Sequence, residues 1–452
     1  MSENAQKKAH AVEPPWWTHP DRFVALIILP IAIVMCAGTA YLITNNQKGY
    51  EASIYLNSFY VTLFLSGIAL IAVGAAIGER TGRPLHALRF ADGCLDVLFW
   101  LCIAGYAVWF GPLALSSPQL LIGALRAEAG AVYEIRELAP NLSGVTTATQ
   151  FGISYCCIYA FKRFVLDERP ARRYALYFAV IFTAATLRAI VYSERIALIE
   201  IAFPVLVILC RGSLLTRALP LRIFRETLPL LLLLGSPLFF AAFEYNRSWV
   251  ALYQYRYDSL WAFALERMGI YYVTSLNNIC GFLDRIAWPT FNGEITFYWL
   301  YRFPLIGPLM TEVFGASLRP ELNDFLESNG IEEFNNSTGI LVAHQDWGVV
   351  GGSLFLLALG LFAGRAFRSF RELRGFLQYF YPVILYALFE ILRIGYLYDG
   401  RSVAALIGLL IAYVGWGRVQ SAPLPPRSGA ADPPAAGTEE LSCRPLAKKL
   451  AA

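Results

Sequence analysis

SIYLNSFYVTLFLSGIALIAVGAAIG, residues 53–78, holds no charged side chain. The hydrocarbon core of a bilayer is about 30 Å thick and takes roughly 20 apolar residues to cross as a helix, so this stretch is long enough to span it. Working outward, similar apolar runs lie at 23–44, 94–115, 147–165, 174–190, 196–210, 227–243, 347–364, 378–395 and 401–417. Composition agrees: 57% of residues are hydrophobic and 15% charged, whereas soluble domains carry about 25% charged residues. The expected fold is therefore all-α, a polytopic membrane protein of about ten transmembrane helices.

Cytoplasmic loops carry an excess of Lys and Arg, which sets the orientation. Four connections are strongly basic. They hold Arg80, Arg83 and Arg89, then Lys162 to Arg173, then Arg211 to Arg225, then Arg365 to Arg374. These follow runs two, four, six and eight, so one topology satisfies all of them, with both termini in the cytoplasm. Residues 1–21 then form a cytoplasmic segment, 22–417 the membrane domain and 418–452 a cytoplasmic tail rich in Pro, Ala and Gly that is expected to be disordered. The first run follows about twenty polar residues and fills a bilayer, so it is read as a retained helix and not a cleaved leader. The formal charge of +4 is accounted for by the basic loops, and no nucleic-acid partner is inferred.

The loop at 244–346, between helices 7 and 8, is the longest connection and the most aromatic. Loops of such length usually carry function. Part of it, about 248–287, has helical spacing and is expected to lie along the membrane surface, where Trp and Tyr are favoured. The same residues also suit stacking on sugar rings. Most of the eight cysteines fall in predicted spans and Cys280 alone lies in this loop, so no outside disulfide framework is expected.

Arginines on the outer side run against the positive-inside rule. Arg188 and Arg195 bracket the turn between helices 5 and 6, Arg393 and Arg401 that between helices 9 and 10, Arg136 lies in the first outer loop, and Arg247, Arg256, Arg267, Arg285, Arg302 and Arg319 are spread through the long one. A guanidinium is permanently charged and presents a planar fork that matches phosphate, so a converging set would make a diphosphate clamp. The plainer reading is that these arginines snorkel or pair with acids such as Glu194 and Asp399. Four histidines with no His-x-x-x-His pair, and no outer Cys cluster, give no metal signature. Neither a GxSxG elbow nor a phosphate-binding Walker loop is present. His344 is read as an interfacial polar residue.

Four segments, in order, resemble the Wzy-type oligosaccharide repeat-unit polymerases, including the enterobacterial common antigen branch. They are YEIRELAPNLSGVT (133–146), YSERIALIEIAF (192–203), NNSTGILVAHQDWGVVGGSLFLLALGLFAG (335–364) and LRIGYLYDGRSVAALIG (392–408). They cover about a fifth of the chain. Related lipid-glycan ligases place a histidine near the start of the third segment, where this chain has Asn336 and Ser337.

The resemblance implies glycosyl transfer at the periplasmic face of a bacterial inner membrane, with no cofactor and no metal. A glycan on undecaprenyl diphosphate would be the donor and a hydroxyl of a second lipid-linked repeat unit the acceptor. Catalytic roles would fall to Arg195 and Arg393 on the leaving diphosphate and to Asp346 or Asp399 at the acceptor hydroxyl. Arg136, Arg188, Glu194, Asn336, Tyr396 and Arg401 would bind substrate. The bilayer, a repeat-unit flippase and a chain-length regulator are the implied partners. A lipid-glycan ligase or other polyprenyl-phosphate-dependent glycosyltransferase, and a flippase or transporter without chemistry, remain the alternatives.

Overall fold

The computed structural model describes residues 12–45, 53–81, 86–126, 128, 130–138, 146–303, 306–315, 319–331, 333–398 and 400–420. The predicted spans all fold as helices. They are α1 (Pro20–Thr44), α2 (Ser58–Arg80), α3 (Gly93–Ser116), α4 (Phe151–Ala160, continued by a π-helical turn to Val165), α5 (Arg172–Val191), α6 (Arg195–Arg211) and α7 (Leu219–Glu244). After the long loop, whose main helix is α8 (Leu260–Leu283), come α9 (Gly339–Glu372), α10 (Leu377–Glu390) and α11 (Arg401–Trp416). Six of these, α1, α2, α3, α5, α7 and α9, are long and apolar enough to cross a membrane. The chain is thus a helical, multi-pass membrane protein. The other four predicted spans are shorter, 10 to 17 residues before any π-turn.

Local chemistry starts and breaks these helices where a cap or a glycine stands. Asn57 caps α2 by accepting from the Tyr60 amide at 3.1 Å, and Ser259 caps α8 through the Ala262 amide at 3.2 Å. Inside α9 the backbone of Gly348 takes φ 70° and ψ −177°, a conformation open to glycine. The break frees the Gln345 and Asp346 carbonyls, which accept from Thr290 and Phe291 amides at 3.2 and 2.8 Å.

The closest helix pair is α2 with α9. A Cβ on Gly74 would sit 2.3 Å from the Leu357 carbonyl oxygen, and one on Gly360 2.2 Å from that of Ile71. Backbones approach this closely only over small residues, and in lipid such packing is what holds helices together.

The two ends of the bundle differ. At one end the four basic connections interlock. Lys162 donates to the Phe90 carbonyl at 2.9 Å, Arg211 to that of Arg371 at 2.9 Å, Arg371 pairs with Glu79, and Gln378 donates to the Leu88 carbonyl at 3.1 Å. Here β1 (Ala87–Phe90) pairs antiparallel with β2 (Gly417–Gln420), so chain predicted to be disordered from 418 is a strand through Gln420. Its backbone polar groups are satisfied by β1, which composition alone does not reveal. Residues 421–452 lie outside the described residues.

At the opposite end α8 crosses over the helix termini. Asn277 receives the Tyr55 amide at 2.8 Å and donates to the Ser53 carbonyl at 2.9 Å, while Ser275 donates to the Leu392 carbonyl at 3.0 Å. The surface helix expected near 248–287 is therefore a π-helical turn at Tyr245–Tyr253 followed by α8.

Candidate functional site

Beneath α8, at the end opposite the basic connections, Arg188, Arg401, Arg393, Arg195 and Arg267 form an alternating chain with carboxylates. Arg188, at the end of α5, donates to Glu194 at 2.7 Å and to the Thr149 hydroxyl at 3.0 Å, and its guanidinium lies 4.3 Å from the centre of the Trp109 ring. Arg401, at the start of α11, pairs with Glu200 of α6 at 3.3 Å and is within electrostatic reach of Glu194. Glu200 also accepts from Gln150 at 2.8 Å and from the Tyr396 hydroxyl at 3.1 Å. The Tyr396 ring packs edge-on against Tyr386, whose hydroxyl reaches Glu390 at 3.3 Å.

Glu390 holds Arg393 through Nε at 2.7 Å, and Arg393 Nη1 donates to the Tyr271 hydroxyl of α8 at 2.8 Å. Arg195 approaches the same tyrosine, its guanidinium 5.8 Å from the Tyr271 ring centre and 4.0 Å from that of Phe240. Arg195 pairs at 3.3 Å with Glu244, which also takes Arg267 at 2.7 Å, and Arg267 reaches Glu333. Five guanidiniums and five carboxylates thus follow one another from Arg188 to Glu333.

Burial gives these pairs their weight. Glu244 is 1% exposed, Glu200 3% and Arg267 3%, so leaving one of these charges with no partner would cost about 3–5 kcal/mol. The carboxylates aim the arginine forks rather than consume them, because each fork has five donors.

Tyr271 is the point where Arg195 and Arg393 meet. Burial alone would raise its phenol, but the two guanidiniums, with hydrogen bonds from Asn336 and Arg393, hold it below the ordinary tyrosine value. Its phenolate contribution to stability is fully present above the ordinary tyrosine range and is lost as pH falls through the lowered value. In ultraviolet pH titrations, the difference between wild type and Tyr271→Phe should show one early transition, and Arg393→Gln should move it upward. No movement in that variant would remove Arg393 as a cause.

The structure therefore gathers Arg195, Arg393, Asn336, Arg401, Tyr396, Arg188 and Glu194 along one strip. Arg136, on the helix Ala131–Leu138, joins its edge by donating to the Tyr192 carbonyl at 3.1 Å. Asp346 is placed differently. It is fully buried, and its carboxylate accepts from the Thr296 amide at 2.6 Å and the Thr290 hydroxyl at 3.2 Å, fastening the 290–296 loop to α9. Asp399 lies outside the described residues.

Sequence reading missed Glu200, Glu244, Glu333 and Glu390 as members, counted Arg267 only among the outer arginines spread through the long loop, and placed Tyr271 only among that loop's aromatics. The signal for two of them was a carboxylate within an apolar run, Glu200 in 196–210 and Glu390 in 378–395. Such a charge is costly in lipid and calls for a partner. Compared with known proteins, the chain matches no family model, no curated protein and no solved structure.

Proposed function

We propose that the chain is a glycosyltransferase that polymerises undecaprenyl-diphosphate-linked repeat units into a surface or exported polysaccharide. In this reading ten helices cross a bacterial inner membrane, both termini are cytoplasmic, and the arginine strip faces the periplasm. The observation that carries it is the convergence of Arg195 and Arg393 on Tyr271, at the end opposite the basic connections.

The chemistry needs little else. The bond from the donor sugar C1 to the diphosphate oxygen breaks, and one from C1 to the acceptor hydroxyl oxygen forms. Negative charge grows on the leaving lipid diphosphate, where preoriented guanidiniums are most effective because they need no reorganisation. Arg195, Arg393 and Arg401 take that role, with Tyr271 and Asn336 spacing the forks. The acceptor proton needs a base. With Asp346 engaged by the 290–296 loop, that role falls to Asp399, between Tyr396 and Arg401 in sequence.

Purified protein in vesicles should elongate lipid-linked repeat units in the presence of a divalent-metal chelator. A deletion strain should accumulate single repeat units on the lipid. Accumulation of long lipid-linked polymer would instead identify a ligase, and loss of flipping without loss of transfer a transporter.

A further inference from the structure

A helix on the rim of a membrane bundle normally exposes an outer stripe and buries an inner one. The middle of α7 does not. Leu230, Leu231, Leu232, Leu233 and Leu234 are 55, 44, 37, 51 and 68% exposed, and Gly235 is exposed as well. Successive residues turn by 100°, so six in a row cover every side of the helix, including the side toward the bundle. A Cβ on Gly235 would meet nothing within 4 Å.

Both ends of α7 are nevertheless tied down. At the inner end Trp17 donates to the Arg225 carbonyl at 2.9 Å, Trp16 to that of Glu226 at 3.1 Å, and Arg225 to that of Cys210 at 2.6 Å. At the outer end Phe240 and Ala241 pack on Ala264 of α8, and Glu244 holds Arg195 and Arg267. The helix is a post fixed top and bottom, and the open space beside its middle forms a slot along one wall, that of Leu230 to Gly235.

We propose that this slot seats the polyprenyl tail of a lipid diphosphate, an assignment that rests on the function proposed above. The α7 wall of the slot is apolar, lies within the membrane span of that helix, and ends under a guanidinium. Arg195 stacks on Phe240, which stands five residues, about 7.5 Å, above Gly235. A phosphate held at Arg195 and Arg393 would therefore run its chain down Gly235 to Leu230. Charge at the top and hydrocarbon below match a lipid diphosphate and not a soluble nucleotide sugar.

The test places a photoreactive benzoylphenylalanine at Leu232, with Val34 of α1 as a lipid-facing control that is 71% exposed. The probe is radiolabelled undecaprenyl diphosphate without sugar, in phosphatidylethanolamine and phosphatidylglycerol vesicles. Crosslinking at Leu232 should saturate, yield to unlabelled undecaprenyl diphosphate but not to undecaprenol, and fall at least tenfold in Arg195→Gln. Crosslinking at Val34 should not saturate.

Gly235→Phe is the second variant, because open space around that position lets it fold. It should lower the Leu232 crosslink about tenfold. Non-saturating capture at Leu232, or equal capture of phosphatidylglycerol, overturns the assignment even if elongation is intact. Saturable capture without any elongation keeps the slot and sinks the polymerase reading.

Discussion

Arg393→Lys should lower the elongation rate about 100-fold, close to 2.7 kcal/mol of transition-state stabilisation, while leaving the protein folded. Lysine keeps a positive charge beside Glu390, so no buried carboxylate is stranded. It loses the fork that spans Glu390 and Tyr271 at once. Arg393→Ala would remove both properties and confuse instability with lost chemistry, which is why lysine is the informative change. The measurements are initial rates on lipid-linked repeat units and the length distribution of the exported polysaccharide. Wild-type chain length from a folded lysine variant would take Arg393 out of the reacting site.

Gly74→Ala should cost at least about 3 kcal/mol and deplete folded protein, whereas Gly67→Ala should cost less, about 1–2 kcal/mol. Both glycines lie on the α2 face that packs against α9. A methyl at Gly74 meets the Leu357 backbone oxygen at 2.3 Å, which can move only if α9 moves. A methyl at Gly67 meets side chains and not backbone, the Leu356 Cδ1 at 2.7 Å and the Ile340 Cγ2 at 2.8 Å; the leucine end can turn, while the isoleucine branch gives way only with its stiff χ1. Thermal denaturation of the two variants in detergent, followed by size-exclusion profile, decides it. Equal midpoints would mean that the α2–α9 crossing is looser than its backbone separation indicates.

Helix positions were legible where the surroundings are lipid. The runs 94–115 and 174–190 became Gly93–Ser116 and Arg172–Val191, because hydropathy measures what a bilayer accepts. Reading failed where the surroundings are protein. The run 347–364 starts at the Gly348 break but gave no hint of the helical stretch 339–347 before it, since His344, Gln345 and Asp346 depress its hydropathy and yet are fully buried. The loop 244–346 showed helical spacing, but only the fold shows that α8 bridges the termini of several helices.

The candidate site was half legible. Arg188, Arg195, Arg393 and Arg401 stood out as charges on the wrong side of a rule. Their carboxylates did not, because searching for long apolar runs treats Glu200 and Glu390 as interruptions to be tolerated. Tyr271 could not be singled out among the loop's many aromatics. Its environment is made by Arg195 from α6 and Arg393 from beyond α10, elements joined only in three dimensions.

The two-stranded ribbon of β1 and β2 bears on how the molecule is made. Its halves flank nearly the whole helical core, so Ala87–Phe90 leaves the ribosome early and waits for Gly417–Gln420 to be synthesised. Contacts between distant parts of a chain are slow to form, and an unpaired strand edge is open to wrong partners meanwhile. Lys162 and Gln378 bond to the Phe90 and Leu88 carbonyls of that waiting strand, so they can steady it before its partner arrives. Pairing of the ribbon therefore waits until α11 has been made, and a chain truncated before Gly417 would leave the edge of Ala87–Phe90 without its partner strand.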